Sequence, residues 1–181
     1  MKVLGFVGGP HREGNTAKLV EAVINGASEA NHQAKLFKLC ELKIHHIEEK
    51  NGKLFYPDDD FSELYSEIES MGTLVLGTPI YYDHIDSRLK QFIDRLHYWS
   101  KTHGEEYRSR FPNNVRLINC ITYAGKDENS YEDVLFLMKG RMEHYWGMRH
   151  IANLKAFDTR NKPVAGNKEL LEKARRIGRD L

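Results

Sequence analysis

The feature that most constrains the fold is a short apolar segment that leads directly into a glycine-rich loop and then into a helical pattern. Residues 3–7 read VLGFV, and residues 8–10 read GGP. A continuous apolar run of this length predicts a strand buried on both faces, as in a parallel sheet. From Asn15 onward the period becomes helical, with one apolar face formed by Val20, Val23, Ile24 and Ala27. This part of the sequence therefore predicts a buried strand, a glycine loop and an amphipathic helix.

The same alternation of strand and helix recurs along the chain. Further strands are predicted at residues 34–39, 73–76 and 115–122 and within 150–158, and helical stripes at 61–68, 89–96, 131–145 and 170–177. The acidic run Asp58-Asp59-Asp60 suits the N-terminus of the second helix. Five alternations predict an α/β fold, a flavodoxin-like three-layer sandwich. Its five-stranded parallel sheet would have the order 2-1-3-4-5, in one domain over residues 1–181.

Composition excludes several classes of protein. The chain carries 27 basic and 26 acidic residues, a net charge of +1, so no basic excess favours a nucleic-acid surface. No apolar run reaches the length of a membrane span, and residues 1–8 lack the cleavage site of a signal peptide. Cys40 and Cys120 stand far apart in apolar surroundings, which favours reduced thiols. We therefore expect a cytoplasmic location.

Ligands of such a sheet bind beyond the carboxyl ends of the strands, where the first loop lies. This loop reads Gly8-Gly9-Pro10-His11-Arg12-Glu13-Gly14-Asn15-Thr16. Its glycines let backbone amides approach an anion, and a helix N-terminus adds favourable partial charge. Asn15 and Thr16 can cap the helix or donate to phosphate, while His11 and Arg12 can add charge-assisted bonds. An ordinary turn before a capped helix is the alternative.

The loop departs from other phosphate-binding patterns. It has neither the dinucleotide spacing G-x-G-x-x-G nor the Walker lysine. It lacks the cysteine of a thiol phosphatase, and the third strand ends in Thr78-Pro79 rather than in the acidic residue of a receiver domain. The sequence therefore predicts that phosphate is bound and not cleaved.

Two further loops are predicted at the same edge of the sheet. The second reads Thr78-Pro79-Ile80-Tyr81-Tyr82-Asp83-His84, and the third reads Thr122-Tyr123-Ala124-Gly125-Lys126-Asp127. Pro79 fixes the backbone, and the aromatic and small side chains suit a planar ring. The alternative for Tyr81, Tyr82 and Tyr123 is packing, either in the core or at a subunit contact.

The three loops together resemble the NADPH-dependent FMN reductase and iron–sulfur flavoprotein group of the flavodoxin superfamily. The matching text is Gly9-Pro10-His11-Arg12-Glu13-Gly14-Asn15-Thr16, Gly77-Thr78-Pro79-Ile80-Tyr81-Tyr82 and Leu89-Lys90-Gln91-Phe92-Ile93-Asp94-Arg95. Similarity extends over nearly the whole chain, including Asp58-Asp59-Asp60. The resemblance implies FMN as cofactor, with its phosphate on the first loop and its ring on the second and third.

Two departures from the family pattern matter. The family loop usually begins Gly-Ser-Pro-Arg, whereas Gly9 and His11 occupy the serine and arginine positions here. One hydroxyl ligand is lost, and a permanent cation becomes a titratable one. Iron–sulfur members also carry a cysteine cluster near residues 44–56, where this chain has none, so no iron–sulfur cluster is expected. His45 and His46 are interpreted as a solvated pair and not as a metal site, since neighbours on a strand face opposite ways.

The resemblance implies an NAD(P)H-dependent oxidoreductase that reduces a quinone, a flavin or another small acceptor, in which the cofactor performs the chemistry. No residue stands out as an acid or base, although the position of His84 makes it a candidate. The alternatives are a flavodoxin-type electron carrier and a flavin-less binding module. The resemblance also implies a homodimer or homotetramer, with Leu96-His97-Tyr98-Trp99 as a contact or as core. Residues 44–57 and 100–114 are long enough for active-site or interface loops.

Overall fold

The computed structural model describes residues 1–103 and 105–181; Gly104, within the predicted loop at 100–114, lies outside them. The strands are β1 (Lys2–Val7), β2 (Gln33–Lys38), β3 (Glu48–Lys50), β4 (Lys53–Phe55), β5 (Thr73–Tyr81), β6 (His84–Ile85), β7 (Arg116–Thr122) and β8 (Arg149–Ala156). The α-helices are α1 (Asn15–Glu29), α2 (Tyr65–Glu69), α3 (Ser87–Arg95), α4 (Glu132–Trp146) and α5 (Lys168–Arg179).

The central sheet has the predicted topology. Its five parallel strands lie in the order β2-β1-β5-β7-β8, which is 2-1-3-4-5 when these strands alone are numbered. Three short strands were not predicted. β6 pairs antiparallel with the end of β5, and β3 and β4 form a separate hairpin inside residues 44–57. Two or three residues are too few to give a periodic pattern.

Apolar layers cover both faces of the sheet, because successive residues of a strand point to opposite sides. Val3 packs in the layer formed with α1 and α5, whereas Leu4 packs in the layer formed with α3 and α4, and both are fully buried. Helices α1 and α5 cross so closely that a Cβ on Gly26 would lie 1.9 Å from the carbonyl oxygen of Arg175. The fold is therefore a three-layer α/β sandwich.

The helical stripe predicted at residues 61–68 forms a short helical segment after Asp58-Asp59-Asp60. Residues Ser62–Leu64 form a 3₁₀ turn, and α2 contains only five residues. The Asp59 carboxylate accepts from the amides of Phe61 (3.0 Å) and His45 (2.7 Å), so it joins two segments instead of starting one long helix. His45 and His46 are both exposed, in irregular structure and not on a strand. The described residues contain no group of three potential metal ligands.

The aromatic segment Leu96–Trp99 serves the core in part. It forms a 3₁₀ turn in which Leu96 and Trp99 are buried, while Tyr98 is exposed and lies under the Arg110 guanidinium, 4.4 Å from its ring centre. Both cysteines are free thiols, and Cys120 is fully buried whereas Cys40 is half-buried. None of the described helices combines the length and the apolar character that a membrane span requires.

Candidate functional site

The carboxyl ends of β1, β5 and β7 meet at one cleft of about 410 Å³. Residues from all three predicted loops line this cleft, together with the segment that follows β8. The lining residues are Gly8, Gly9, Pro10, His11, Gly14, Asn15, Thr16, Pro79, Ile80, Tyr81, Thr122, Tyr123, Ala124, Thr159 and Arg160. The volume falls in the range of small-molecule and cofactor sites.

The first and second loops touch at Gly9. Its φ is +96°, and a Cβ at this position would lie 2.8 Å from Cγ of Pro79. Glycine is therefore required here by both backbone conformation and space. The Gly8 amide also donates to the carbonyl of Gly77 at 2.8 Å, which fixes the start of the loop against β5.

The N-terminus of α1 opens toward the cleft. Within the described residues, the amides of Asn15, Thr16 and Ala17 have no hydrogen-bond acceptor, and the first helical bond runs from Lys18 to the carbonyl of Gly14 at 3.1 Å. Unpaired amides and the helix dipole favour an anion at this end. The predicted capping by Asn15 or Thr16 is not observed. The Asn15 side chain accepts from the Val164 amide at 2.9 Å instead, which ties the segment after β8 to the start of α1.

Arg12 does not line the cleft, contrary to the prediction. Its guanidinium donates to the Glu41 carboxylate, and the side chain is 70% exposed. The hydrogen bond and the charge of Glu41 raise the pKa of Arg12. Glu13 in the same loop is likewise paired with Lys38. Arg12 is thus turned outward because the 3₁₀ turn after β2 presents a carboxylate beside it.

The second loop contributes Pro79, Ile80 and Tyr81 but not its remaining predicted residues. Thr78 is buried, where its hydroxyl donates to the carbonyl of Pro79 (2.8 Å) and accepts from the amide of Asp86 (2.9 Å). Tyr81 is 42% exposed, and Tyr82 is fully exposed at the tip of the β5–β6 turn. Neither tyrosine of this loop therefore caps the core. Asp83 lies outside the lining, where it accepts from the Tyr131 hydroxyl at 2.9 Å.

The third loop contributes Thr122, Tyr123 and Ala124. The Thr122 and Thr16 hydroxyl oxygens lie 2.7 Å apart, so β7 and α1 are joined beside the cleft. The Tyr123 hydroxyl donates to two backbone carbonyls, and burial raises its pKa to about 12, so this group stays protonated at neutral pH. Gly125 does not line the cleft; its carbonyl accepts from the amide of Asp158 at 2.7 Å.

Thr159 and Arg160 also line the cleft but were not predicted from the sequence. The predicted loops follow the first, third and fourth strands of the sheet, whereas these residues follow the fifth, β8. The Thr159 amide (3.1 Å) and hydroxyl (3.0 Å) both donate to the carbonyl of Tyr123, which brings this segment to the cleft. The polar run Asp158-Thr159-Arg160, close after β8, was the available signal.

His84 is not among the lining residues. Its Nδ1 accepts from the amide of Ile85 at 2.9 Å, and the side chain is exposed on β6. A larger groove of about 740 Å³ runs beside β8 between α4 and α5. No residue of the three predicted loops lines that groove, so the smaller cleft is the candidate site.

Known proteins share this sequence pattern and fold. An iron–sulfur flavoprotein of Methanocaldococcus jannaschii is 28% identical over 100 residues, covering 52% of this chain and 51% of that protein. The chain spans about half the length of the iron–sulfur flavoproteins that it matches. YwqN of Bacillus subtilis, named as an NAD(P)H-dependent FMN-containing oxidoreductase, is 32% identical over 153 residues, covering 82% of this chain and 80% of that protein.

Solved structures share the fold. A flavone reductase superimposes with a TM-score of 0.75 at 19% identity, covering 99% of this chain and 61% of the other. An NAD(P)H:quinone oxidoreductase from Methanothermobacter marburgensis superimposes with a TM-score of 0.73 at 17% identity, covering 99% of this chain and 95% of the other. The NADPH-dependent FMN reductase family matches residues 1–127, which include all three predicted loops. The chain belongs to the NADPH-dependent FMN reductase family.

Proposed function

We propose that the chain holds FMN in the cleft and uses NADH or NADPH to reduce a small-molecule acceptor such as a quinone or a flavin. The observation that carries this proposal is the convergence of three loops on one cleft with two chemically different ends. Unpaired amides at the start of α1 form one end, and Pro79, Ile80 and Tyr81 form part of the other. A phosphate on a tail and a planar ring require this combination.

The lining residues fit FMN in charge and shape. The amides of Asn15 and Thr16 would hold the phosphate, since a helix N-terminus favours an anion. A side chain at Gly9 would collide with Pro79, so glycine keeps the first and second loops in close contact beside the cleft. Bound FMN would supply hydride and electron transfer. The chain would bind and orient the cofactor and limit the access of water to it.

The proposal assigns no acid or base role to Tyr123 or His84. The Tyr123 hydroxyl, which lines the cleft, is held by two carbonyls and has a pKa of about 12. His84 does not line the cleft, and its Nδ1 accepts from the amide of Ile85. Replacement of His84 by alanine is therefore expected to leave turnover unchanged, and a steady-state assay with NADPH checks this.

Three further features belong to the proposal. We expect a homodimer or homotetramer, supported by the fully exposed Tyr82 beside the cleft; light scattering that finds only monomer would reject it. We expect no iron–sulfur cluster within this sequence, because it contains two cysteines and a cluster takes four ligands. We also expect the protein to work in the cytoplasm, where its two free thiols would stay reduced.

The test begins with the absorption spectrum after FMN is added and the excess is removed by gel filtration. A retained flavin spectrum that NADH or NADPH bleaches without oxygen supports the reductase. Bleaching that requires a partner reductase would replace it with the electron carrier. Loss of all flavin from a protein with an intact circular dichroism spectrum would favour the binding module.

A further inference from the structure

We propose that Arg160, on the segment after β8, binds the FMN phosphate and takes the role of the arginine that His11 replaces in the first loop. This inference rests on the proposed FMN site. It assigns a phosphate ligand to a segment outside the loop that carries the family resemblance. The chemical class of the ligand is a phosphate monoester on a flavin.

The charges around the cleft favour Arg160 as the phosphate ligand. Among the described lining residues, Arg160 is the only one whose side chain has a permanent charge, and none is acidic. Arg12, the other arginine of the predicted site, is paired with Glu41 outside the lining. A phosphate monoester carries nearly two negative charges at neutral pH. The cleft therefore has one strong cation available for it, and that cation is Arg160.

Hydrogen bonds fix the backbone on both sides of Arg160. Before it, the Thr159 amide and hydroxyl donate to the carbonyl of Tyr123 at the end of β7. After it, the Val164 amide donates to Asn15 at the start of α1. The segment thus passes from the third loop to the helix terminus where the free amides lie. A residue carried between these two attachments is placed for an anion at that terminus.

Arg160 is also free to bind. Its side chain is exposed, and it forms no ion pair within the described part of the chain. The nearest carboxylate in sequence, Asp158, faces Lys162 instead, at 3.9 Å. Asp158 is buried and accepts from the Asn161 side chain at 2.7 Å, so it supports the segment. A guanidinium without a protein acceptor can form a bidentate bond with phosphate.

The test compares FMN with riboflavin, which lacks the phosphate, by fluorescence titration of the wild-type protein and Arg160→Gln. We expect Arg160→Gln to weaken FMN binding about tenfold, as the loss of a charge-assisted bond would. Riboflavin binding should change less than about twofold, because the ring contacts remain. Arg160→Lys keeps the charge but loses the planar, forked geometry of the guanidinium. Its affinity for FMN should therefore lie between those of the wild-type protein and Arg160→Gln.

Lys162→Gln is the matched control, since it removes one positive charge from the same segment outside the cleft lining. It should leave the preference for FMN over riboflavin unchanged. An equal loss for both flavins in Arg160→Gln would overturn the proposal in favour of a structural role. Unchanged flavin binding with a raised KM for NADPH would overturn it in favour of a nicotinamide phosphate. A wild-type protein that binds neither flavin would overturn the proposed function itself.

Discussion

Two polar regions of the molecule, the Arg95 cluster and the cleft, use similar side chains in opposite ways. The Arg95 guanidinium is fully buried and donates to Asp59 (2.6 Å) and to the carbonyls of His45 (2.9 Å) and Pro57 (3.0 Å). It also lies 4.6 Å from the Phe61 ring centre. The cleft, by contrast, keeps exposed Arg160 and the first amides of α1 without protein acceptors.

The difference separates residues that build the fold from residues that are available to a ligand. Arg95 and Asp59 both lie in segments that carry the family resemblance, yet three hydrogen bonds within the protein engage the Arg95 guanidinium, and its Nε is buried without a partner. They hold residues 44–61 against α3. A buried charge paired in this way serves structure, whereas an unpaired donor at the edge of a sheet can bind an anion.

The largest effect is expected from Arg95→Ala. Removal of one partner of a buried ion pair costs about 3–5 kcal/mol, because it leaves the Asp59 charge uncompensated. Urea unfolding measures the loss in free energy of unfolding. Lys90→Ala is the control: the Lys90–Asp94 pair lies on the same helix with side chains 54% and 52% exposed, so its loss should cost less than about 0.5 kcal/mol. Equal costs for the two variants would refute the contrast.

The same pair predicts an acid dependence. Burial raises the pKa of Asp59, but the hydrogen bonds from Arg95 and from the amides of His45 and Phe61 outweigh it, so the pKa is lowered. Asp59 therefore contributes stability above its unfolded pKa of about 3.9, and the contribution is lost as pH falls through the lower folded value. Asp59→Asn should cost about 3 kcal/mol at pH 7. Urea titrations from pH 7 to 3 should show the difference in free energy of unfolding between wild type and Asp59→Asn narrowing below pH 4. A difference that stays constant with pH would contradict the role given to the Asp59 carboxylate.

On the cleft side, Gly9→Ala is expected to reduce both stability and flavin binding. A φ of +96° and a Cβ 2.8 Å from Pro79 make a local cost of about 1–3 kcal/mol. FMN affinity should fall more than about tenfold, because the two loops must separate. Gly52→Ala is the control, since Gly52 has a φ of +74° in the β3–β4 turn but no atom within 4 Å. The Gly52→Ala variant should be less stable than the wild-type protein but should bind FMN with the same affinity.

Most of the fold could be predicted because the long elements have clear periods. Short segments between the helical stripes, two of them continuously apolar, identified all five strands of the parallel sheet, and the chain order of helices then left few topologies. The second helical segment was predicted, but its division into a 3₁₀ turn and a five-residue helix was not. The bonds of Asp59 to His45 and Arg95 were not predicted either, because local charge patterns do not reveal them. The hairpin β3–β4 was not predicted because each of its strands has only three residues.

The site could be predicted at the level of loops but not of side chains. The glycines and Pro79 mark the loops, since their backbone requirements are local. The direction of Arg12 depends on Glu41, which lies 29 residues away in sequence, and Arg160 reaches the cleft through bonds to Tyr123 and Asn15. Such long-range pairing leaves no trace in the spacing of a single sequence.

The smallest effect is expected from Tyr131→Phe, which tests how the exposed side of the cleft is held. The Tyr131 hydroxyl donates to Asp83 in the β5–β6 turn, and Tyr131 (φ +66°), Tyr82 (φ +48°) and Asp83 (φ +61°) all have positive φ. Loss of this bond should loosen the turn beside the ring end, so FMN and riboflavin affinities should fall equally, by about twofold to threefold.

The bond to Asp83 raises the pKa of Tyr131, so its contribution is present below the unfolded pKa of about 10 and lost as pH rises through the folded value. Flavin titrations at neutral pH and at a pH above the raised folded pKa should therefore show the difference between Tyr131→Phe and wild type disappearing in alkali. Tyr145→Phe, on α4 and without a hydrogen bond from its hydroxyl among the described residues, should change neither affinity. A selective loss of FMN binding in Tyr131→Phe would place the phosphate at this end and reverse the orientation argued for the cleft.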